Sequence, residues 1–180
     1  LETNVKEYMV INFSAATLDI DELWDSSALS AKFLSGFWGY FFPKGDKEAR
    51  QIRNELEDSV RYISAELLGN AVKYNFSPEF IIKIGLYVVR GELRFYVTNS
   101  VDPDIISEFQ NFIQSIMKED LKKLYLTQME KNAKKGSFES RIGFLTIMLN
   151  YESILAWKFE KDENIDVVTT MARLPIVRNI

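Results

Sequence analysis

The chain has 180 residues, of which 47% are hydrophobic and 13% aromatic, and it carries a formal net charge of −4 at pH 7 with a sequence pI near 5.1. This length and apolar content suit one well-filled domain rather than two, and an acidic balance without a basic tract argues against nucleic-acid binding. Cysteine and histidine are both absent, which excludes disulfides, thiol nucleophiles, zinc-finger sites and imidazole acid–base catalysis.

The longest apolar run, at residues 28–42, is too short to span a bilayer, and it contains Lys32 and two glycines. No signal peptide precedes this run, so we expect a cytoplasmic protein without a membrane anchor. Its partners are then expected to be proteins or small ligands. Any catalysis must use carboxylates, lysine, hydroxyl groups or a bound metal ion.

The predicted elements begin with a strand at residues 8–13, and two helical stretches follow around residues 18–24 and 28–42. A turn at residues 43–46 ends this N-terminal block, because it combines proline, glycine and aspartate. A long helix is predicted next over residues 47–75, and a Ser-Pro pair directly after it stops the helix.

A β-hairpin is predicted from two alternating runs, residues 80–89 and 92–99, joined by an Arg-Gly turn. Asp102-Pro103 then supplies a helix cap and a first-turn proline for an amphipathic helix. A second helix is predicted at residues 121–134, and it runs into the charged loop at residues 134–140.

The remaining chain predicts a short apolar helix at residues 143–150 and a closing hairpin, with strands at residues 153–160 and 165–175. Strands and helices therefore segregate rather than strictly alternate. That order predicts an α+β fold, a two-layer α/β sandwich whose mixed, mostly antiparallel sheet is covered by helices on one face. We expect a single domain over residues 1–180, in which residues 1–45 add a strand and aromatic helices to a core at 46–180.

The most informative segment is ISAELLGNAVKYN, residues 63–75 of the long predicted helix. Glu66, Asn70 and Lys73 lie four and three residues apart there, so they share one stripe beside an apolar face. A carboxylate can orient a hydroxyl or water, an amide oxygen can reach Mg²⁺, and an ammonium can neutralise phosphate. This stripe suits a magnesium–phosphate ligand. A surface Glu–Lys network has the same spacing, and spacing alone does not separate the two.

The stretch ELLGNAVKY resembles the N box of the histidine-kinase-like (GHKL) ATPase superfamily. The resemblance implies that fold and a site for ATP with Mg²⁺, with Glu66 as the catalytic residue, Asn70 as the magnesium ligand and Lys73 near phosphate. The closing DVVTTMARLP is similar to the last strand of that family, where a threonine faces the nucleotide. Either Thr169 or Thr170 would take that place.

The two glycine-rich boxes of the family are altered in this chain. VTNSVDP, at residues 97–103, puts Asn99 where the family has an aspartate, and the Asn99 carbonyl could accept the hydrogen bond of the adenine amine. In the second box, at residues 136–146, only Gly143 and a downstream Leu-Thr pair keep the pattern. A helix that starts there could offer backbone amides to phosphate, and Arg141 could add a charged contact. The alternative for Gly143 is a plain helix start.

These departures, the aromatic N-terminal block and the helix pair at 102–134 resemble the divergent SiaB-like branch of bacterial regulators, related to the anti-sigma serine kinases. The resemblance implies an ATP-dependent protein serine/threonine kinase or anti-sigma-type switch that acts on a STAS-domain (anti-anti-sigma) partner. The alternative is a nucleotide-binding-deficient pseudoenzyme that regulates by docking the STAS-domain partner. A chaperone-like or mismatch-repair ATPase module is a third alternative, which the small size disfavours.

Three further features have simple interpretations. Residues 102–140 are predicted to form a mobile lid, because related ATPases place one there and the segment is highly charged. Asn75 is predicted to cap the C-terminal end of the long helix. An aromatic cluster in the N-terminal block is interpreted as core or a homodimer contact rather than a ligand pocket, and it comprises Phe33, Phe37, Trp38, Tyr40 and Phe41.

Overall fold

The structure is a computed structural model that describes residues 5–14, 20–39, 45–135 and 141–176. These segments contain five strands and five helices. In chain order they are β1 (Val5–Ser14), α1 (Ile20–Trp38), α2 (Lys47–Tyr74), β2 (Ile81–Val89), β3 (Glu92–Ser100), α3 (Pro103–Lys118), α4 (Leu121–Lys135), α5 (Arg141–Asn150), β4 (Ile154–Asp162) and β5 (Ile165–Pro175).

The five strands form one sheet in the order β1-β2-β3-β5-β4, and every pairing between them is antiparallel. The β2–β3 hairpin turns at Arg90 and Gly91, whose φ values are 49° and 81°. Two consecutive residues with positive φ match the type I′ turn, which follows the twist of the flanking strands. The predicted α+β two-layer sandwich is confirmed, with a sheet that is antiparallel throughout the described residues rather than mixed.

The core lies between one face of the sheet and α2. Alternate residues of β3, namely Leu93, Phe95 and Val97, are buried against the helices, as the period of two in a strand requires. Asp46 caps α2 by accepting a hydrogen bond from the Ala49 backbone N–H. The helix α2 packs over β2 and β3, with α1 and α5 also against it and α4 against α5.

The N-terminal block belongs to the same sandwich. β1 pairs along its length with β2, which integrates this part of residues 1–45 into the sheet. The prediction of two helices at 18–24 and 28–42 is wrong in the described region, because α1 is one continuous helix. Its inner residues Leu34 and Trp38 are buried in the shared core, and this packing holds the helix together. Tyr40 and Phe41 lie outside the described residues.

The predicted lid is in large part scaffold. Phe112 and Ile116 of α3 are buried and belong to the main core. Gln128 and Asn132 of α4 are also buried, and the Gln128 side-chain amide donates to the Asn132 side-chain oxygen at 3.0 Å. The helices α3 and α4 are therefore packed elements, while residues 136–140 of the predicted loop lie outside the described residues.

Candidate functional site

A cavity of about 260 Å³ lies between the helices α2, α3 and α5 and the strands β3 and β5. Polar side chains reach it from three directions: Asn70 from α2, Asn99 and Thr170 from the sheet, and Glu108 and Arg141 from α3 and α5. Most of the remaining wall is apolar, and it includes Leu67, Ala71, Val97, Phe109, Phe144 and Val168. Apolar walls with a few convergent polar groups are typical of small-molecule sites.

Asn70 contributes an unsatisfied amide to this cavity. Its Nδ2 is buried and has no hydrogen-bond partner among the described residues. A buried donor without a partner costs roughly 1–3 kcal/mol, so a ligand acceptor atom placed there would recover that cost. Rotation of the same amide by half a turn would instead present Oδ1, the atom that a magnesium ion would require.

Asn99 is buried at the end of β3, and its Nδ2 donates to the Ser100 carbonyl at 2.7 Å. Its Oδ1 is therefore the atom suited to accept a hydrogen bond from a ligand. The cavity wall at this point is fixed by an adjoining junction between the end of α2 and the end of β3.

That junction is centred on the Asn75 side chain. Asn75 Oδ1 accepts from the Ser100 backbone N–H at 3.0 Å and from Ser100 Oγ at 2.7 Å. Asn75 Nδ2 donates to the Ser77 carbonyl at 2.9 Å, and the Ser77 N–H donates to Ser100 Oγ at 2.8 Å. Asn75 occupies the C-cap position, as predicted, but its side chain ties two elements together, which the sequence did not indicate.

The two candidate threonines lie on opposite faces of β5, because side chains alternate along a strand. Thr170 is buried on the helix-covered face and lines the cavity. Thr169 lies on the other face, where its Oγ1 is 2.9 Å from Oγ1 of Thr98. Only Thr170 is therefore in a position to contact a ligand in this cavity.

Glu66 lies one turn before Asn70 but does not line the cavity. Its carboxylate lies against Gly143 at the start of α5, so closely that a Cβ at that position would overlap it. Burial raises the pKa of Glu66, and its hydrogen bond with Tyr62 opposes that rise. Burial and the neighbouring Glu66 charge raise the pKa of Tyr62 to about 12. A neutral phenol is therefore held beside a carboxyl group of raised pKa.

The other two predicted site residues, Arg141 and Lys73, lie in different environments. Arg141 forms an ion pair with Glu108 and its guanidinium lies 5.3 Å from the centre of the Phe112 ring. Lys73 is exposed and places its Nζ 5.3 Å from the Tyr74 ring, outside the cavity lining. The three residues of the predicted stripe therefore do not share one site: Glu66 contacts α5, Asn70 lines the cavity, and Lys73 is at the surface.

Two residues near this site were missed in the sequence. Tyr62 lies four residues before Glu66, so the helical spacing could have indicated their contact. Glu108 is 33 residues from Arg141, and no local pattern connects them.

Within the described segments, no cluster of three or more acidic residues could hold a metal ion by itself. A magnesium ion at this site would therefore depend on ligand phosphate oxygens in addition to Asn70. No helix in these same segments is long and apolar enough to cross a membrane.

Neither a protein-family model nor a curated protein sequence matches the chain. Its structure is similar to a chain in the crystal structure of the SiaB–SiaC complex from Pseudomonas aeruginosa, with a TM-score of 0.62 and 15% sequence identity. The match covers 92% of this chain and 89% of that chain. At this identity the likeness establishes the fold, and it agrees with the predicted SiaB-like architecture.

Proposed function

We propose that the chain is an ATP-binding regulatory protein that phosphorylates a serine or threonine of a STAS-domain partner. The observation that carries the proposal is the cavity in which Asn70, Asn99 and Thr170 converge between apolar walls. Arg141 adds a cationic group to the lining. A similar fold occurs in a complex of two proteins, SiaB and SiaC, which supports a protein partner here.

The dimensions and chemistry of the cavity suit the base of a nucleotide better than its triphosphate. The volume of about 260 Å³ is slightly below the roughly 300–1,000 Å³ of typical small-molecule sites. Asn99 Oδ1 would accept a hydrogen bond from the adenine amine, and the Thr170 hydroxyl can both donate and accept. The phosphates would then extend toward Arg141, the cation in the lining, with Asn70 available to a phosphate or to Mg²⁺.

The chemistry of the proposed transfer falls on Glu66. When bound, ATP would supply the γ-phosphoryl group and leave as ADP, and Mg²⁺ would offset the negative charge of the phosphates. The Glu66 carboxylate accepts the proton of the attacking hydroxyl group, and its raised pKa makes it a better base near neutral pH than an ordinary carboxylate. Tyr62 positions this carboxylate through their hydrogen bond.

A second candidate function is regulation by docking alone, without productive nucleotide binding. The Glu108–Arg141 ion pair favours it, because this pair already neutralises the cation that a phosphate would need. Glu66 and Lys73 also lie outside the cavity lining. In this alternative the chain binds the STAS-domain partner and transfers nothing.

Titration calorimetry with ATP and magnesium tests the cavity, with two adjacent threonines as matched variants. We expect Thr170→Val to weaken ATP binding about fivefold, because a lost hydrogen bond is worth about 1 kcal/mol and 1.4 kcal/mol is a factor of ten. Thr169→Val should leave the affinity unchanged, since Thr169 lies on the other face of the sheet. No binding by the wild-type protein would reject the kinase proposal and leave docking as the function.

The transfer step is tested with labelled ATP and a STAS-domain partner. Glu66→Gln should keep its affinity for ATP and lose roughly 100-fold or more in transfer rate, the range for removal of a general base. Transfer at the wild-type rate in this variant would remove Glu66 from the mechanism.

A further inference from the structure

The lining of the cavity holds one cation and one anion among the described residues, and these two groups are paired with each other. Arg141 is the first residue of α5, and Glu108 lies on α3, 33 residues earlier in the chain. The Arg141 guanidinium donates a hydrogen bond through Nη2 to Glu108 Oε1. The other polar groups of the lining are neutral amides and hydroxyls, so the charges at the cavity cancel in the free protein.

The two partners of this ion pair differ in how firmly they are held. The Glu108 side chain is 69% exposed and the Arg141 side chain only 31%. The guanidinium lies 5.3 Å from the centre of the Phe112 ring, and Phe112 is buried one turn after Glu108 on α3. An aromatic face attracts a guanidinium group. The carboxylate can therefore turn into solvent without uncovering apolar surface, while Arg141 keeps a contact that holds it at the cavity.

A phosphate group can take the place of the Glu108 carboxylate on Arg141. The planar guanidinium group matches phosphate oxygens as well as carboxylate oxygens and binds either with two parallel hydrogen bonds. An exposed ion pair favours its paired state by no more than about fivefold, because water and salt screen it. A phosphate on a ligand that is already anchored in the cavity has a high effective concentration beside Arg141. The phosphate should therefore displace the carboxylate, with a modest loss of affinity.

We propose that Glu108 competes with the phosphates of a nucleotide for Arg141 and thereby determines which ligand charge the cavity accepts. In the free protein the carboxylate contacts the guanidinium group. In the complex a phosphate contacts it and the carboxylate lies in solvent. The inference rests on the nucleotide binding proposed above and adds a specificity-determining residue to it. The ion pair then lowers the affinity for ATP instead of abolishing it.

Competition of this kind acts on the phosphates and not on the base. Adenine would be held by Asn99 and Thr170, which lie on the strands β3 and β5 rather than on α3. Adenosine carries no phosphate, so its binding leaves the Glu108–Arg141 pair intact. The affinity for ATP should therefore respond to the charge at position 108, and the affinity for adenosine should not.

Titration calorimetry with ATP and with adenosine tests the competition. Glu108→Gln should bind ATP about fivefold more tightly than the wild-type protein does, the ratio that corresponds to an exposed ion pair of about 1 kcal/mol. Its affinity for adenosine should be unchanged. The matched control is Glu119→Gln, which removes the same charge at an exposed position at the end of α3. It lies about 16 Å further along the helix, beyond the Debye length of about 8 Å, so both affinities should stay at the wild-type value.

A double-mutant cycle separates competition from plain repulsion between the carboxylate and the phosphates. Arg141→Gln alone should weaken ATP binding roughly tenfold or more, because a hydrogen bond to a charged group is lost. In the Arg141→Gln background, Glu108→Gln should tighten ATP binding far less than in the wild-type protein, because the group for which it competes is gone. An equal gain with and without Arg141 would overturn the competition and assign the effect to repulsion.

The outcomes with ATP separate this inference from the proposed function. Equal ATP affinity of the wild-type protein and Glu108→Gln would overturn the competition, while ATP binding itself would stand. ATP binding by Glu108→Gln alone would support the competition and leave docking as the function of the wild-type chain. No binding by either protein at millimolar ATP would overturn both.

Nuclear magnetic resonance of the Arg141 side chain tests the exchange of partners directly. Its Nε–H signal is identified by its loss in Arg141→Gln. Addition of ATP with magnesium to the wild-type protein should move this signal, and saturating adenosine should leave it in place. In the free Glu108→Gln protein the signal should already be displaced from its wild-type position. A signal that ATP leaves unmoved would overturn the proposed exchange.

Discussion

The Glu66 carboxyl group is half-buried between α2 and α5, and this burial raises its pKa while the Tyr62 hydrogen bond opposes the rise. The folded protein therefore holds the Glu66 proton more tightly than the unfolded chain does. The stabilisation that comes from the protonated acid is fully present below the unfolded pKa, near 4.5. It is lost as the pH rises through the folded pKa.

Glu66→Gln should therefore change the pH dependence of stability. The variant keeps a similar shape without a buried charge, so we expect it to be more stable than the wild-type protein at about pH 7. The advantage should shrink as the pH falls through the raised pKa toward the unfolded value. Urea unfolding at several pH values measures it, with Glu119→Gln as an exposed control. A difference in stability between Glu66→Gln and the wild-type protein that does not vary with pH would contradict the raised pKa of Glu66.

Contact with the Glu66 carboxylate, rather than backbone conformation, restricts the size of the side chain at position 143. A Cβ at position 143 would overlap the Glu66 carboxylate, which is the end of a flexible side chain and can turn aside, so Gly143→Ala should cost about 1 kcal/mol, the low end of the range for overpacking. In a Glu66→Ala background the overlap is removed. The same substitution should then cost little, or even stabilise α5 by up to about 1 kcal/mol, because alanine is the better helix former.

A double-mutant cycle of these two changes, measured by urea unfolding, gives the coupling energy between residues 66 and 143. The two positions should be coupled by at least about 1 kcal/mol, well above the error of the cycle. Additive effects would show that the contact between the Glu66 carboxylate and α5 does not affect the free energy of unfolding.

At the scale of elements, the Asn75 junction is the connection that sets the end of α2 against the end of β3. Asn75→Ala would remove its hydrogen bonds to Ser100 and Ser77 and leave buried groups without partners. We expect a loss of about 2–4 kcal/mol in the free energy of unfolding, the sum of several bonds of about 1 kcal/mol each. Asn111→Ala, at an exposed position on α3, is the control and should have little effect.

The Asn75 junction is also next to the cavity through Asn99 and Ser100. For that reason Asn75→Ala should weaken ligand binding under conditions where the protein is still folded. If calorimetry gives the wild-type affinity in a folded Asn75→Ala protein, the junction stabilises the fold without positioning the site.

Local sequence signals were sufficient to predict most of the helices and strands. The Arg90-Gly91 turn and the Asp102 cap were recognisable because their chemistry acts over two to four residues, and the structure has both. The division of α1 into two helices was wrong because the polar residues 25–27 look like a break. Burial of Ala31, Leu34 and Trp38 on one side of α1 overrides that local preference.

At the scale of the whole molecule, the site was only partly predictable. Asn70, Asn99, Arg141 and Thr170 were all candidates from the sequence, and the fold brings them to one cavity. The choice between Thr169 and Thr170 depends on which face of β5 is covered, and adjacent residues in a strand always face opposite ways. The presence of Glu108 at the site depends on how α3 lies relative to α5, and no local sequence pattern encodes that arrangement.

The cavity is lined by both layers of the sandwich, so a ligand bound there should stabilise the whole domain. ATP with magnesium at 100 times its Kd would add about 2.7 kcal/mol to the free energy of unfolding. A domain of this size gains about 2–4 °C in Tm for each kcal/mol, so we expect an increase of about 5–11 °C. Thermal unfolding followed by circular dichroism measures it at a fixed protein concentration.

The variants decide where that stabilisation originates. At the same ATP concentration Asn70→Ala and Thr170→Val should show a smaller increase in Tm, by about a third for Thr170→Val, whereas Thr169→Val should keep the full increase because its side chain is on the opposite face. A full increase in all three variants would place the nucleotide outside this cavity. No increase in the wild-type protein, even at millimolar ATP, would leave the docking function as the one compatible with this fold.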